Sequence, residues 1–155
     1  VGRAVVYEPP LLVPALLPSA SFTATLHADL AAGQPDAVVE AFFRRIEGLN
    51  DRQLAKLRGM RAWAMRVASA PTIPRELEGV RHYELQETGL RAWARPVLLL
   101  VGGLSPSPMR EASDKVASCL RSARTELLPG QRHGAMNSAP ALFVDAVLAF
   151  LDASG

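Results

Sequence analysis

Residues 96–103 read Pro-Val-Leu-Leu-Leu-Val-Gly-Gly. The apolar run inside this stretch does not alternate with polar residues, which suits a strand covered on both faces, as in a parallel sheet. Its two closing glycines mark a tight exit. Downstream, Ser107 followed by Pro108 forms an N-cap and first-turn pair for a helix with Met109, Ala112, Val116 and Leu120 on one side. Thr125 to Leu128 (TELL) predicts another strand, closed by Pro129-Gly130. After the loop Gln131 to Asn137, Ser138-Ala139-Pro140 opens a last helix with Phe143, Val147, Phe150 and Leu151 facing inward. Upstream, Arg3 to Tyr7 (RAVVY) is a short β-branched run ended by Glu8-Pro9-Pro10, where two prolines withhold the donors that ladder pairing needs. The order strand, helix, strand, loop, helix requires right-handed crossovers between parallel strands. The fold class is therefore α/β, with a short parallel sheet of about three strands and flanking helices.

Between the first two strands the signals are helical. Pro35 suits a first turn, and Val38, Phe42, Ile46 and Leu49 line one face, with a break at Gly48. Asn50 or Asp51 caps a second helix through Leu54, Leu57, Met60, Ala64 and Val67, weakened at Gly59 and ended before Pro71. A shorter helical stretch lies between Arg75 and Ala94. This segment interrupts the strand order, so it is expected to be a cap inserted over the carboxyl end of the sheet, where ligands bind in open α/β folds. The expected organisation is one domain over 1–155, with a helical cap at about 16–94 and core segments at about 1–15 and 95–155.

Composition narrows the function classes. The 155 residues are 49% apolar and 21% charged, enough for a real core. Seventeen Lys and Arg against fifteen Asp and Glu leave a net charge of +2. The basic residues are dispersed, so a pI near 9.1 gives no reason to expect nucleic acid as a partner. The lone cysteine, Cys119, has no second thiol for a disulfide or a thiolate zinc site, which permits a reducing compartment; the cytoplasm is the expected location. No apolar run approaches the roughly 20 residues of a membrane-spanning helix, and no membrane partner is expected. Leu11 to Ala20 has a signal-peptide look at its small-residue end, but it follows Glu8-Pro9-Pro10 instead of a basic start and is broken by Pro14 and Pro18. The chain opens on Val1, and its first residues already read as a strand, which points to a fragment or a processed chain.

His133 stands just past a predicted strand end in Leu128-Pro129-Gly130-Gln131-Arg132-His133-Gly134. An imidazole there sits at the ligand edge and can act as a general base; the alternative is a surface loop histidine. His27 and His82 have no second ligand at i+3 or i+4, so no metal is expected. No phosphate-binding glycine loop follows Gly102-Gly103, and no cofactor is expected. Cys119 reads as a buried small apolar residue. Trp63, Trp93, Phe42, Phe43 and Met60 either line the underside of the lid or simply pack its core.

Taken in order, the strand ending in YEPP (7–10), the helical lid, PVLLLVGG (96–103), a crossover helix, TELLPG (125–130), GQRHGAM (130–136) and the terminal helix APALFVDAVLAFL (139–151) resemble the carboxyl half of an α/β-hydrolase. The resemblance runs from Arg3 to Leu151. It implies a partial α/β-hydrolase fold whose strands are the last three of the hydrolase sheet, and it puts His133 on the catalytic histidine. Such enzymes join a nucleophile, a histidine and an acid. The nucleophile sits on a G-x-S-x-G turn, and none occurs here: Gly103-Leu104-Ser105-Pro106-Ser107 lacks the second glycine and carries a proline where a helix should begin. Ser105 is a poor nucleophile on that ground. The resemblance instead puts the nucleophile upstream of Val1. The loop after the PVLLLVGG strand, a common place for the acid, has no carboxylate; Glu111 and Asp114 come later, on a helix, and suit a solvated face. Some family members take the acid from the end of the strand matched by Arg3 to Tyr7, where Glu8 stands. Glu8 is either the orienting acid of His133 or a loop carboxylate that caps backbone donors around Pro9 and Pro10.

The resemblance thus implies the carboxyl-terminal part of an esterase-like hydrolase acting on a small apolar substrate, inactive by itself, with the amino-terminal half of the domain as its missing partner. The alternative is a non-catalytic binding domain on a degenerate hydrolase scaffold.

Overall fold

A computed structural model describes residues 2–9 and 18–153 of the chain. Two compact units divide it, Val1–Ala15 with Glu84–Gly155, and Leu16–Tyr83. Most of the stretch at 11–20 weighed as a signal segment lies outside the described residues.

The first unit carries three strands, β1 (Ala4–Tyr7), β2 (Val97–Gly102) and β3 (Ala123–Leu128), in the order β1-β2-β3 and all parallel. Ala4 pairs with Val97 and Tyr7 with Leu100, while Val97 pairs with Ala123 and Gly102 with Leu128. Every residue of β2 is buried, as its unbroken apolar run requires. Leu98 and Leu100 join Leu128, Ala135, Ala146 and Phe150 in one core, flanked by Val5, Tyr7, Phe143 and Val147. Helix α7 (Ser107–Cys119) packs on β2 and β3, burying Ala112, Ser113, Val116 and Cys119.

In this sheet-bearing unit the details depart from the sequence expectations in four places. Helix α7 starts at Ser107, so Pro106 holds the extended cap position (φ −56°, ψ 148°) that its ring favours, and Ser107 makes no capping bond. Strand β3 starts at Ala123, two residues before Thr125, because β2 offers it backbone partners from Val97 onward; its first residues are exposed and carry no apolar signal. The loop at 131–137 contains a short helical turn, α8 (Ala135–Ser138), anchored by the buried Ala135, and the last helix, α9, runs Pro140–Asp152. In α9 the inward stripe is Phe143, Ala146, Val147 and Phe150. Leu151 is rotated about 90° from the centre of that stripe and is 45% exposed.

The second unit is helical: α1 (Ala20–Ala31), α2 (Pro35–Arg45), α3 (Asp51–Arg58), α4 (Trp63–Ala68), a 3-10 turn at Ala70–Thr72 and α5 (Ile73–His82). Its core is Leu26, Val38, Val39, Ala70 and Leu77. Asn50 is the cap of α3, in a reciprocal bond pair with Gln53. The single helix expected from Asn50 to Val67 is two: α3 ends at Gly59, the weak point, and α4 starts at Trp63. Helix α6 (Glu87–Ala92) belongs to the sheet-bearing unit. Its Glu87 pairs with Lys115 of α7 and with Arg91, and these cations draw the Glu87 carboxyl down to about 2.

Candidate active site

The carboxyl ends of all three strands meet at one place. β1 leaves the sheet at Tyr7, and Glu8 extends the ladder by one bond, its N–H donating to the Leu100 carbonyl at 3.1 Å. Glu8 then takes φ +39°, the only non-glycine with positive φ among the described residues. Such a conformation costs about 1–3 kcal/mol and persists where the surroundings over-determine it. Here they do. Glu8 is fully buried, its Oε1 accepts the Gly102 N–H at 2.7 Å, and its Oε2 meets His133 Nδ1 at 2.8 Å.

His133 is carried by the turn after β3. Gly130, at φ +69°, redirects the chain behind Pro129. The turn is sewn to the exit of β2 by Gly103 N–H to the Leu128 carbonyl (2.9 Å) and Leu104 N–H to the Gln131 carbonyl (2.8 Å). The His133 side chain is 39% exposed while its carboxylate partner is sealed from solvent. Tyr7 stacks on the imidazole, ring centroids 5.5 Å apart and planes 15° from parallel.

The electrostatics fix the roles within the pair. Burial by itself raises the Glu8 pKa, but the hydrogen bonds from His133 and the Gly102 N–H, with the nearby Ser105 hydroxyl, together outweigh it and hold the carboxyl below its ordinary value. The ionised carboxylate has no proton to give, so Nδ1 of His133 is the donor. Ser105 Oγ makes no bond of full geometry, although it is buried beside Gly102; its contribution is that of a nearby dipole. Burial also raises the Tyr7 pKa, reinforced by the Glu8 charge and opposed by the Ala135 N–H.

The structure brings Glu8 and His133 together and leaves the weaker candidates apart. Glu111 and Asp114 lie on the exposed face of α7. His27 pairs with Glu78 at 3.2 Å, and His82 is exposed at the end of α5. Among the described residues no group of three or more His, Cys, Asp or Glu could hold a metal. Cys119 is buried. Trp63 bonds Asp36 at 2.9 Å and packs with Phe42 and Phe43 in the helical unit, Met60 is half exposed, and Trp93 lies in the sheet-bearing unit. Of the two readings of Glu8, the carboxylate does accept a backbone N–H, but from Gly102; Pro10 lies outside the described residues. Sequence reasoning missed Tyr7, Gly102 and the supporting role of Ser105. Tyr7 beside a carboxylate at a strand end, and the glycine pair at the end of β2, were the visible signals.

The open parallel sheet with helices around it matches a partial α/β-hydrolase fold. Among solved structures the chain is similar to an α/β hydrolase from Sphaerobacter thermophilus, with TM-score 0.78 and 24% identity over 97% of this chain and 58% of that one. It is also similar to a hydrolase from Pseudomonas aeruginosa (TM-score 0.67, 22% identity, 97% of this chain and 56% of that) and an esterase from a Rhodococcus species (0.64, 17%, 99% and 57%). The chain therefore spans somewhat more than half the length of these proteins. No protein-family model and no curated protein matches it. Among the described residues no helix is long and apolar enough to cross a membrane.

Proposed function

We propose that this chain contributes the general base and the orienting acid of an esterase-like α/β-hydrolase. The contact of His133 Nδ1 with the buried Glu8 carboxylate, at 2.8 Å, carries the reading. Glu8 accepts the Nδ1–H, which fixes the tautomer and leaves proton transfer to Nε2. Nε2 takes the proton of the nucleophile as it attacks the substrate and later returns it to the leaving group, while Glu8 stabilises the imidazolium formed in between. The nucleophile and the oxyanion donors come, in this reading, from polypeptide upstream of Val1, the amino-terminal half of the domain. The helical segment between β1 and β2 is the enzyme's cap, and the substrate is small and largely apolar.

The non-catalytic alternative draws on the loop at 102–106, which has no carboxylate where many hydrolases keep their acid. Against it stands the cost of the pair itself: a sealed carboxylate on strained backbone is an expensive feature for a scaffold without chemistry. The test joins the chain to its upstream polypeptide and assays short-chain aryl esters. His133→Ala should keep the fold and lose turnover by about 10³-fold or more, and the 155-residue chain assayed alone should show none. Undiminished turnover in His133→Ala removes His133 from the mechanism.

A further inference from the structure

Tyr7 does more at this site than end a strand. Its ring faces the His133 imidazole nearly in parallel and is backed edge-on by Phe143 of α9, centroids 5.3 Å apart at 64°. Its hydroxyl donates to the Arg132 carbonyl and accepts the Ala135 N–H at 3.4 Å. Those two backbone groups flank His133, and they are already joined by Ala135 N–H to the Arg132 carbonyl at 3.1 Å. One side chain therefore braces both the ring and the turn that carries it. In a regular strand Tyr7 and Glu8 would point to opposite faces. The positive φ of Glu8 turns its carboxylate back, so that two successive residues engage the same imidazole, one at its face and one at its edge.

We propose that Tyr7 is a positioning residue for His133: its ring supports the imidazole face and its hydroxyl closes the 132–135 turn, so that Nδ1 stays on Glu8. The inference rests on the reading of His133 as the base, but it concerns the position of the ring and is measured without turnover. A role confined to packing would make Tyr7 one more residue of the sheet core, no different in kind from Val5, which also borders that core.

The test is solvent exchange of the His133 Nδ1–H proton, followed by NMR in the chain joined to its upstream polypeptide at a pH where Glu8 is ionised. Tyr7→Leu removes the ring face and both hydroxyl bonds and should speed exchange by about tenfold or more; Tyr7→Phe keeps the ring and should speed it by about threefold. Val5→Ala, which disturbs the same core without touching His133, should leave it within about twofold. Unchanged exchange in folded Tyr7→Leu, or equal acceleration in Val5→Ala, overturns the proposal. If Tyr7→Leu does not fold, Tyr7→Phe decides alone: acceleration supports the brace, and an unchanged rate overturns it. Failure of His133→Ala to lose turnover would overturn the catalytic reading and leave these exchange rates as they are, so the two failures are distinguishable.

Discussion

Gly102 and Gln131 approach so closely that a Cβ on Gly102 would stand 2.6 Å from the Gln131 carbonyl oxygen and 2.9 Å from the Arg132 Cα. Both are backbone atoms of the turn that carries His133, so neither can swing aside as a side chain would. The bare backbone of Gly102 serves the site twice, because the same residue gives its N–H to Glu8.

Gly102→Ala should therefore lower stability by about 1–3 kcal/mol, the cost of overpacking a site that cannot collapse around the new atom. It should also displace His133 from Glu8. Urea unfolding reads the first effect and loss of the protected Nδ1–H signal the second. Gly134→Ala is the control, since a Cβ there meets nothing within 4 Å, and it should stay within about 0.5 kcal/mol of the parent.

Glu8→Gln tests the charge. The folded-state pKa of Glu8 lies below its ordinary value, so its ionised form contributes stability above about pH 4.5, and that contribution is lost as the pH falls through the depressed folded value. The parent should exceed Glu8→Gln by about 1–3 kcal/mol at pH 7, and the difference should shrink steadily in acid. Urea midpoints measured from pH 7 to pH 3 check this; a constant difference across that range would deny Glu8 its ionised role. In the hydrolase proposed above, an amide at position 8 would donate to Nδ1 and so select the wrong tautomer, and turnover should fall with little change in fold.

Ser105→Ala separates the supporting dipole from the main bonds. Its hydroxyl helps keep the Glu8 carboxyl low, so removing it should raise the Glu8 pKa toward its ordinary value, which makes the acid-dependent loss of stability smaller and completes it at a higher pH. At pH 7 the stability should change by less than about 1 kcal/mol, because Oγ makes no fully formed hydrogen bond to lose.

Gly59→Ala concerns the helical unit. Gly59 has φ −73°, open to any residue, and a Cβ would meet the Lys56 carbonyl at 3.5 Å and the Ala55 carbonyl at 3.8 Å, ordinary contacts. The substitution should stabilise this unit by about 0.4–1 kcal/mol through reduced freedom of the unfolded chain. Thermal unfolding should show a higher midpoint, and a lower one would mean that the α3–α4 break needs glycine for a reason beyond helix propensity.

What could be read without coordinates was governed by local chemistry. The continuous apolar residues Val97 to Val101 demanded a strand covered on both faces, Asn50 marked a helix start, and Pro140 and the 143/147/150 spacing marked the last helix, because burial period and capping are properties of neighbours in the chain. The position of His133 just past a strand end was equally legible, and the resemblance supplied Glu8 as a partner for it. Where local signals were faint the reading slipped: exposed Ala123 and Arg124 gave β3 no apolar beginning, and Leu151 fell off the stripe.

Only the tertiary structure decided how the site is held. Glu8 and His133 are 125 positions apart, and Glu8 and Gly102 are 94 apart. The positive φ that turns Glu8 back toward Tyr7's side, the absent Cβ that admits the turn, and the stack of Tyr7 on His133 arise from parallel strand ends packed edge to edge. No periodicity along the chain encodes which atoms meet across that edge, since register and side-chain direction there depend on all three strands at once.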